Sequence, residues 1–131
     1  MRHRKKNSNL SRTSSSRNLL IRNLTKELID HGEIVTTTVK AKEVKRYAER
    51  IFHIAKKSYK ASQEGDKAKA FAYGRLIQSR IADKRLTVKV INEVAPKIMD
   101  REGGYTSVYK LKNRRGDGAE VSLLRVVTST K

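Results

Sequence analysis

The side chains able to do acid–base, nucleophilic or metal chemistry are sparse in this chain and do not converge. His3 lies in a basic stretch, His31 at the end of an expected helix and His53 within another. No two of them have the spacing, with a carboxylate between, that a metal-binding pair on a helix needs. Asp and Glu number 13 against 31 Lys and Arg, and most of the acids stand beside a cation. A catalytic centre needs acid, base or nucleophile groups gathered in tuned surroundings, and the sequence gathers none. Cys is absent, which removes disulfides and zinc–thiolate sites and agrees with a reducing cytoplasm. There is no Walker-type phosphate loop and no spaced-glycine dinucleotide fingerprint. Gly103-Gly104 alone is too short to cradle a phosphate. The expectation is a protein without catalysis, cofactor, metal or small-molecule substrate. An RNA-processing enzyme using a dispersed histidine and acid, at His31 or His53, is the rival from that class.

What the sequence does gather is positive charge. The 131 residues carry a formal net charge of +18, and so large an excess points to a nucleic-acid partner. The first acid is Glu27; before it come Arg2, Arg4, Lys5, Lys6, Arg12, Arg17, Arg22 and Lys26, mixed with Asn and Ser. Such a segment repels itself and buries little apolar surface, so it stays unfolded until a dense polyanion orders it. His3, in the same stretch, can stack or donate to a phosphate. Residues 1–13 are read as an extended basic tail, and residues 14–131 as one globular domain. A transit peptide would share the basic, serine-rich composition, but the apolar face that begins at Leu19 runs on into the body. No apolar run approaches the ~18 residues of a spanning helix, and no apolar core of a signal peptide follows the first basic residues, so no membrane insertion is expected.

Further cations stand at Lys40 and Lys42, and at Lys110, Lys112, Arg114 and Arg115. Tyr105 and Tyr109 flank the latter group. Rings beside cations can stack bases; equally, both tyrosines can pack on a sheet with wet hydroxyls. There is neither an aromatic RNP motif nor the GxxG clamp of a KH domain, so a reader of shape and phosphate fits better than a reader of sequence. Arg115-Gly116-Asp117 spells an integrin-binding tripeptide, but a tight hairpin turn with Asp117 bonded to nearby backbone amides accounts for it.

These residues need a scaffold. Ser14, Ser15 and Ser16 offer caps for a first helix, whose face is Leu20, Ile21, Leu24 and Leu28 and which stops at His31-Gly32. Glu33 to Thr38 is β-branched and reads as a strand. A long helix from about Val39 to Tyr59 follows, capped by Thr37 or Thr38, with Ala41, Val44, Ala48, Ile51 and Ala55 as its stripe and Lys40, Lys42, Lys45 and Arg46 opposite. Glu49 and His53 are spaced for a surface pair. After a turn at Ser62 to Asp66 comes a third helix, weakened by Gly74. A fourth opens at Thr87 and kinks or ends at Pro96. Ser107 to Lys112 and Val121 to Val127 form a hairpin around the turn Asn113 to Gly118, the last strand apolar enough to be central. The expected fold class is α+β: a two-layer body in the order α-β-α-α-α-β-β, with helices on one face of the sheet.

The accumulated residues resemble a known family, the bacterial large-subunit ribosomal protein L-seventeen. The resemblance rests on Met1-Arg2-His3-Arg4-Lys5, then Leu10, Arg12, Ser14-Ser15 and Arg17. It continues through Thr36-Thr37 and Lys40-Ala41-Lys42-Glu43. It ends with Arg101-x-Gly103-Gly104-Tyr105-Thr106 and Arg114-x-Gly116-Asp117. Ser16 stands where the family often has His, Asn7-Ser8-Asn9 lacks a common glycine, Thr38-Val39 replaces a pair in which proline is frequent, and Ser62 to Arg85 matches least. The resemblance implies a two-layer fold with a three-stranded mixed sheet and a structural role in the 50S subunit. It also implies binding to large-subunit ribosomal RNA near the rim of the peptide exit region, and contact with neighbouring ribosomal proteins. A free-standing basic nucleic-acid-binding protein or RNA chaperone is the alternative.

Overall fold

The computed structural model describes residue 3 and residues 8–128. Its elements are helix α1 (Ser14–His31), strand β1 (Glu33–Thr37), α2 (Thr38–Gln63), α3 (Lys67–Ile81), α4 (Lys84–Lys89), a π turn (Val90–Val94), α5 (Ala95–Ile98), β2 (Thr106–Asn113) and β3 (Glu120–Val126). With α4, the π turn and α5 taken as one helical stretch, this is the expected order.

Helix α2 organises the body. Ala41, Val44, Ala48, Ile51, Phe52 and Ala55 recur along one face and are fully buried. They meet Leu28 and Ile29 of α1, Ile77 and Ile81 of α3, Val90 of the π turn and Leu124 of β3 in one core. Burying each large aliphatic or aromatic side chain contributes about 1.5–3 kcal/mol. Small Ala residues at 41, 48 and 55 let the neighbouring elements approach closely. Gly32, at φ 80°, closes α1 by returning its N–H to the Leu28 carbonyl at 2.8 Å. A residue with a Cβ is strained in that conformation, so the glycine fixes the sharp step from α1 into β1.

Strand β3 lies between β1 and β2, as its apolar run requires. Both pairings are antiparallel, with Ile34 opposite Leu124 and Val108 opposite the same residue. The sheet is therefore antiparallel throughout, not mixed. The two outer strands are parallel to each other but never pair, because β3 separates them. Alternation places Leu124 and Val126 toward the helices. Val35, Leu123 and Tyr109 form a row on the opposite face, where Val35 and Tyr109 are exposed.

Several local expectations are corrected. The residue preceding α1 is Thr13, and neither it nor Thr37 before α2 makes a side-chain cap. Thr38 is drawn into the core junction instead: its hydroxyl lies 2.6 Å from Ser122 Oγ and 3.3 Å from the Glu120 carbonyl, tying α2 to β3. The fourth helix begins before Thr87, because Asp83 accepts from the Leu86 N–H and caps it. Pro96 does not end the helical stretch. The π turn just before it widens the backbone where proline's missing N–H and its ring would break a regular α-helix. Glu49 does not pair with His53. Its carboxylate accepts from Tyr105 N–H, Thr106 N–H and Thr106 Oγ1 at 3.1, 2.8 and 2.6 Å, anchoring the start of β2 to α2.

Candidate nucleic-acid interface

Helices α1 and α2 are joined by only five residues of strand, so they pack side by side and bring two faces together. Arg17, Asn18, Ile21 and Arg22 come from α1; Glu43, Arg46, Tyr47 and Arg50 come from α2. They enclose an open cleft of about 370 Å³. Its guanidinium groups are Arg17, Arg22, Arg46 and Arg50, against one carboxylate, Glu43. Arg22 is half-buried, and its Nε–H has no hydrogen-bond partner among the described residues. A buried donor without an acceptor is costly, and an anion would remove that cost only if the Arg22 side chain turned its Nε–H toward the cleft.

Glu43 organises the cleft. It is 8% exposed. Its Oε1 accepts from Arg46 Nη1 at 3.2 Å and from the Ser8 N–H at 3.0 Å. The second bond holds the tail against α2. Arg17 Nη1 donates to Asn9 Oδ1 at 2.9 Å. Between these anchors Leu10 and Ser11 both adopt φ 52°, a left-handed conformation that costs non-glycine residues about 1–2 kcal/mol each. The Arg12 N–H closes the turn on the Asn9 carbonyl at 3.1 Å. The tail thus meets the body at the cleft wall.

The second basic region is the β2–β3 hairpin. Residues 109–118 are exposed, so the hairpin stands out from the body. Gly118, at φ 67°, donates its N–H to the Arg114 carbonyl, and the Arg114 N–H donates to the Ala119 carbonyl. Asp117 accepts from the Ala119 N–H at 3.2 Å and from Arg114 Nε at 2.9 Å, which is the turn expected at this tripeptide. The Arg114 guanidinium, with help from the Ala119 amide, holds the Asp117 carboxyl well below the usual carboxylate range. Lys110 pairs with Glu120 at 3.0 Å and lowers its pKa. Lys112 and Arg115 are exposed, without an ion pair among the described residues.

The expected binding residues are therefore not one patch. Arg17 and Arg22 enter the cleft. Lys110, Lys112, Arg114 and Arg115 share the hairpin, two of them already paired with acids. Lys40 is half-buried and Lys42 exposed on the first turn of α2. Arg12 and His3 are exposed, whereas Arg2, Arg4, Lys5 and Lys6 lie outside the described residues. The tyrosines divide. Tyr109 is 49% exposed on the open sheet face; Tyr105 is buried, its hydroxyl donating to the Glu102 carbonyl at 3.1 Å. Burial, with Glu49 nearby, pushes the Tyr105 phenol pKa up, and this ring packs rather than stacks on a base. Arg46 and Arg50 escaped the reading of the sequence as binding residues. Their signal is the repeat Glu43, Arg46, Tyr47, Arg50 at helical spacing, which marks one face of α2.

Among the described residues no group of three His, Asp or Glu is placed to hold a metal ion, and no helix is long and apolar enough to cross a membrane. A small α+β body with an arginine-lined cleft and a cationic hairpin has the make-up of a polyanion-binding scaffold protein.

Sequence comparison narrows this class. The family described as Ribosomal protein L17 matches residues 20–127. A large ribosomal subunit protein bL17 of Fervidobacterium nodosum is 49% identical over 127 residues, covering 97% of this chain and 99% of its own. Proteins of the same name from Thermotoga sp. and Thermus thermophilus are 42% and 41% identical, covering 99% and 97% of this chain and 97% and 99% of their own. The chain belongs to the ribosomal protein L17 family.

Proposed function

We propose that the chain is a structural constituent of the bacterial large ribosomal subunit, cytoplasmic as part of that particle, and that it binds large-subunit ribosomal RNA without catalysing a reaction. Its neighbours are RNA and other large-subunit proteins. The observation that carries the mechanism is the cleft, where four arginines face one carboxylate and one arginine N–H lacks an acceptor among the described residues.

Anchoring is electrostatic. A guanidinium offers planar, paired donors that match two phosphate oxygens, whereas an ammonium acts as a point charge. Arg17, bonded to Asn9, Arg46, bonded to Glu43, and the half-buried Arg22 are partly ordered before RNA arrives, so less entropy is lost on binding. Ser8 is bonded to Glu43 at the cleft wall, so the basic residues that precede it in the sequence are tethered next to the cleft. Seven residues at ~3.3 Å each can span at most about 23 Å, a reach sufficient for Arg2, Arg4, Lys5 and Lys6 to meet further phosphates. The hairpin adds Lys112 and Arg115 at a separate point. Each phosphate neutralised adds roughly 0.7–0.9 to the slope of log affinity against log salt.

The test is sedimentation with salt washing. The full chain is expected to co-migrate with large subunits in stoichiometric amounts after a moderate salt wash. A variant lacking residues 1–7 keeps its fold and enters subunits, but is washed out at lower salt. Recovery of the full chain mainly outside the particles would favour the free-standing RNA-binding alternative. Equal retention of both forms would remove the tail from the mechanism.

A further inference from the structure

Away from the arginine cleft, an open groove of about 630 Å³ runs between α3 and the α4–π turn stretch. We infer that this groove is the docking site for a segment of a neighbouring protein that carries apolar side chains flanked by carboxylates. The inference deepens the proposed role in the large subunit by naming the surface and chemistry of one protein contact.

Gly74 is the first observation. It lies inside α3, where glycine weakens a helix relative to alanine. A Cβ built there would meet only Ile91 Cδ1, at 3.7 Å, an ordinary contact. The body's own packing therefore does not require glycine at this position. Its missing side chain lowers the groove floor and lets an occupant approach the helix backbone.

The walls say what the occupant is made of. Phe71 and Val88 are 67% and 53% exposed at the groove, an apolar surface left open beside a packed core. Two of the three hydroxyls that line it are already used: Ser58 Oγ donates to the Ala70 carbonyl at 3.0 Å, and Thr87 Oγ1 lies 2.7 Å from the Asp83 carbonyl and 3.0 Å from Gln78 Oε1, while Ser62 stands at the exposed end. A nucleobase placed here would bury the polar atoms of its edge with few partners, at a cost. Aliphatic or aromatic side chains bury none. This decides for protein over RNA.

The rim supplies charge complementarity. The Arg75 guanidinium lies 5.7 Å from the centre of the Phe71 ring, and Lys84 stands on the groove's other wall. Neither has a carboxylate partner among the described residues. Arg85 and Lys89, close by in sequence, both pair with Asp30. The unpaired cations lie where acidic residues flanking a docked apolar segment would meet them.

The chain contains no Cys, so Val88→Cys creates a unique thiol at the groove. The full-length variant is assembled into large subunits and its incorporation measured. Maleimide labelling of the thiol is then timed in the free protein and in the particle. A benzophenone maleimide attached before assembly reports the neighbour by mass spectrometry. The expected result is labelling on the order of tenfold slower in the particle, with crosslinks to a protein segment containing Asp or Glu beside apolar residues. Equal labelling rates, crosslinks only to RNA, or crosslinks to a protein segment without acids would each overturn the inference. Ser62→Cys, at the same groove, repeats the test if Val88→Cys incorporates poorly. Failure of the unmodified chain to enter subunits would instead refute the ribosomal role itself and take the inference with it.

Discussion

The cleft and the hairpin are both basic, yet they hold their cations differently. In the cleft, Arg17, Arg22, Arg46 and Arg50 are borne on two packed helices, and Glu43 is spent on Arg46 and the tail. In the hairpin, Lys110 and Arg114 are matched by Glu120 and Asp117, within the same two strands and turn. Local acids hold the hairpin's shape by neutralising half of its charge, whereas the cleft obtains its shape from the core and, with Glu43 on Arg46, leaves Arg17, Arg22 and Arg50 without an ion pair among the described residues. A count of Lys and Arg would rank the two regions as equals; their partners do not.

The comparison breaks most severely at Glu49, the residue that joins the two regions. Glu49→Ala strips acceptors from the backbone amides of Tyr105 and Thr106 and from the Thr106 hydroxyl. The Thr106 hydroxyl can turn to another acceptor, but leaving the two buried amides unpaired costs about 1–3 kcal/mol each. Urea unfolding should show a loss of about 2–4 kcal/mol in stability, larger than from a change at any exposed hairpin cation. Unchanged stability would mean that β2 is held by its pairing with β3 alone.

A smaller effect, of opposite sign for binding, is expected at the hairpin tip. Asp117→Asn frees the Arg114 guanidinium and removes one negative charge. Binding to large-subunit RNA should strengthen, and its salt slope should steepen by up to about 0.9. A weaker complex would show that the locked turn matters more than the released charge.

The smallest effect concerns the support beneath α1. Asp30 bonds Arg85 through both carboxylate oxygens at 3.1 Å and also meets Lys89, tying α1 to α4. Chiefly through Arg85, its pKa falls from 3.8 to about 2. A depressed carboxylate stabilises the fold above its unfolded pKa, and that contribution is lost as the pH falls through the folded value. The difference in unfolding midpoint between wild type and Asp30→Asn should therefore be constant above about pH 4. It should shrink between 3.8 and about 2 and vanish below. A difference that persists at lower pH would assign it to packing rather than charge.

Much of the fold was legible because its signals are local. The stripe of α2, the Gly32 stop, the central strand and the Asp117 turn follow from periodicity, positive φ and short-range bonds. What escaped depends on contacts distant in sequence. Thr38 could not be seen as a partner of Ser122, nor Glu49 as the anchor of β2, because each pair meets only after the sheet forms against α2. Pro96 carried the right local penalty, but the π turn that absorbs it has no composition of its own. The cleft was half legible. Arg17 and Arg22 stand out in an acid-free segment, whereas Arg46 and Arg50 become binding candidates only when α1 is known to lie alongside them. The hairpin erred the other way, since Lys110 and Arg114 look available until their acids are placed.

Arg22 and Arg50, cleft arginines without an ion pair among the described residues, are expected to set the grip on RNA more than the number of cations does. The direct measurement is the salt dependence of affinity for a large-subunit RNA fragment. Arg22→Ala/Arg50→Ala is compared with Lys110→Ala/Arg114→Ala, two charges removed in each. The cleft variant's slope should flatten by about 1.4–1.8, while the hairpin variant's should move by clearly less. Equal flattening in the two variants, or a larger change from the hairpin, would contradict it.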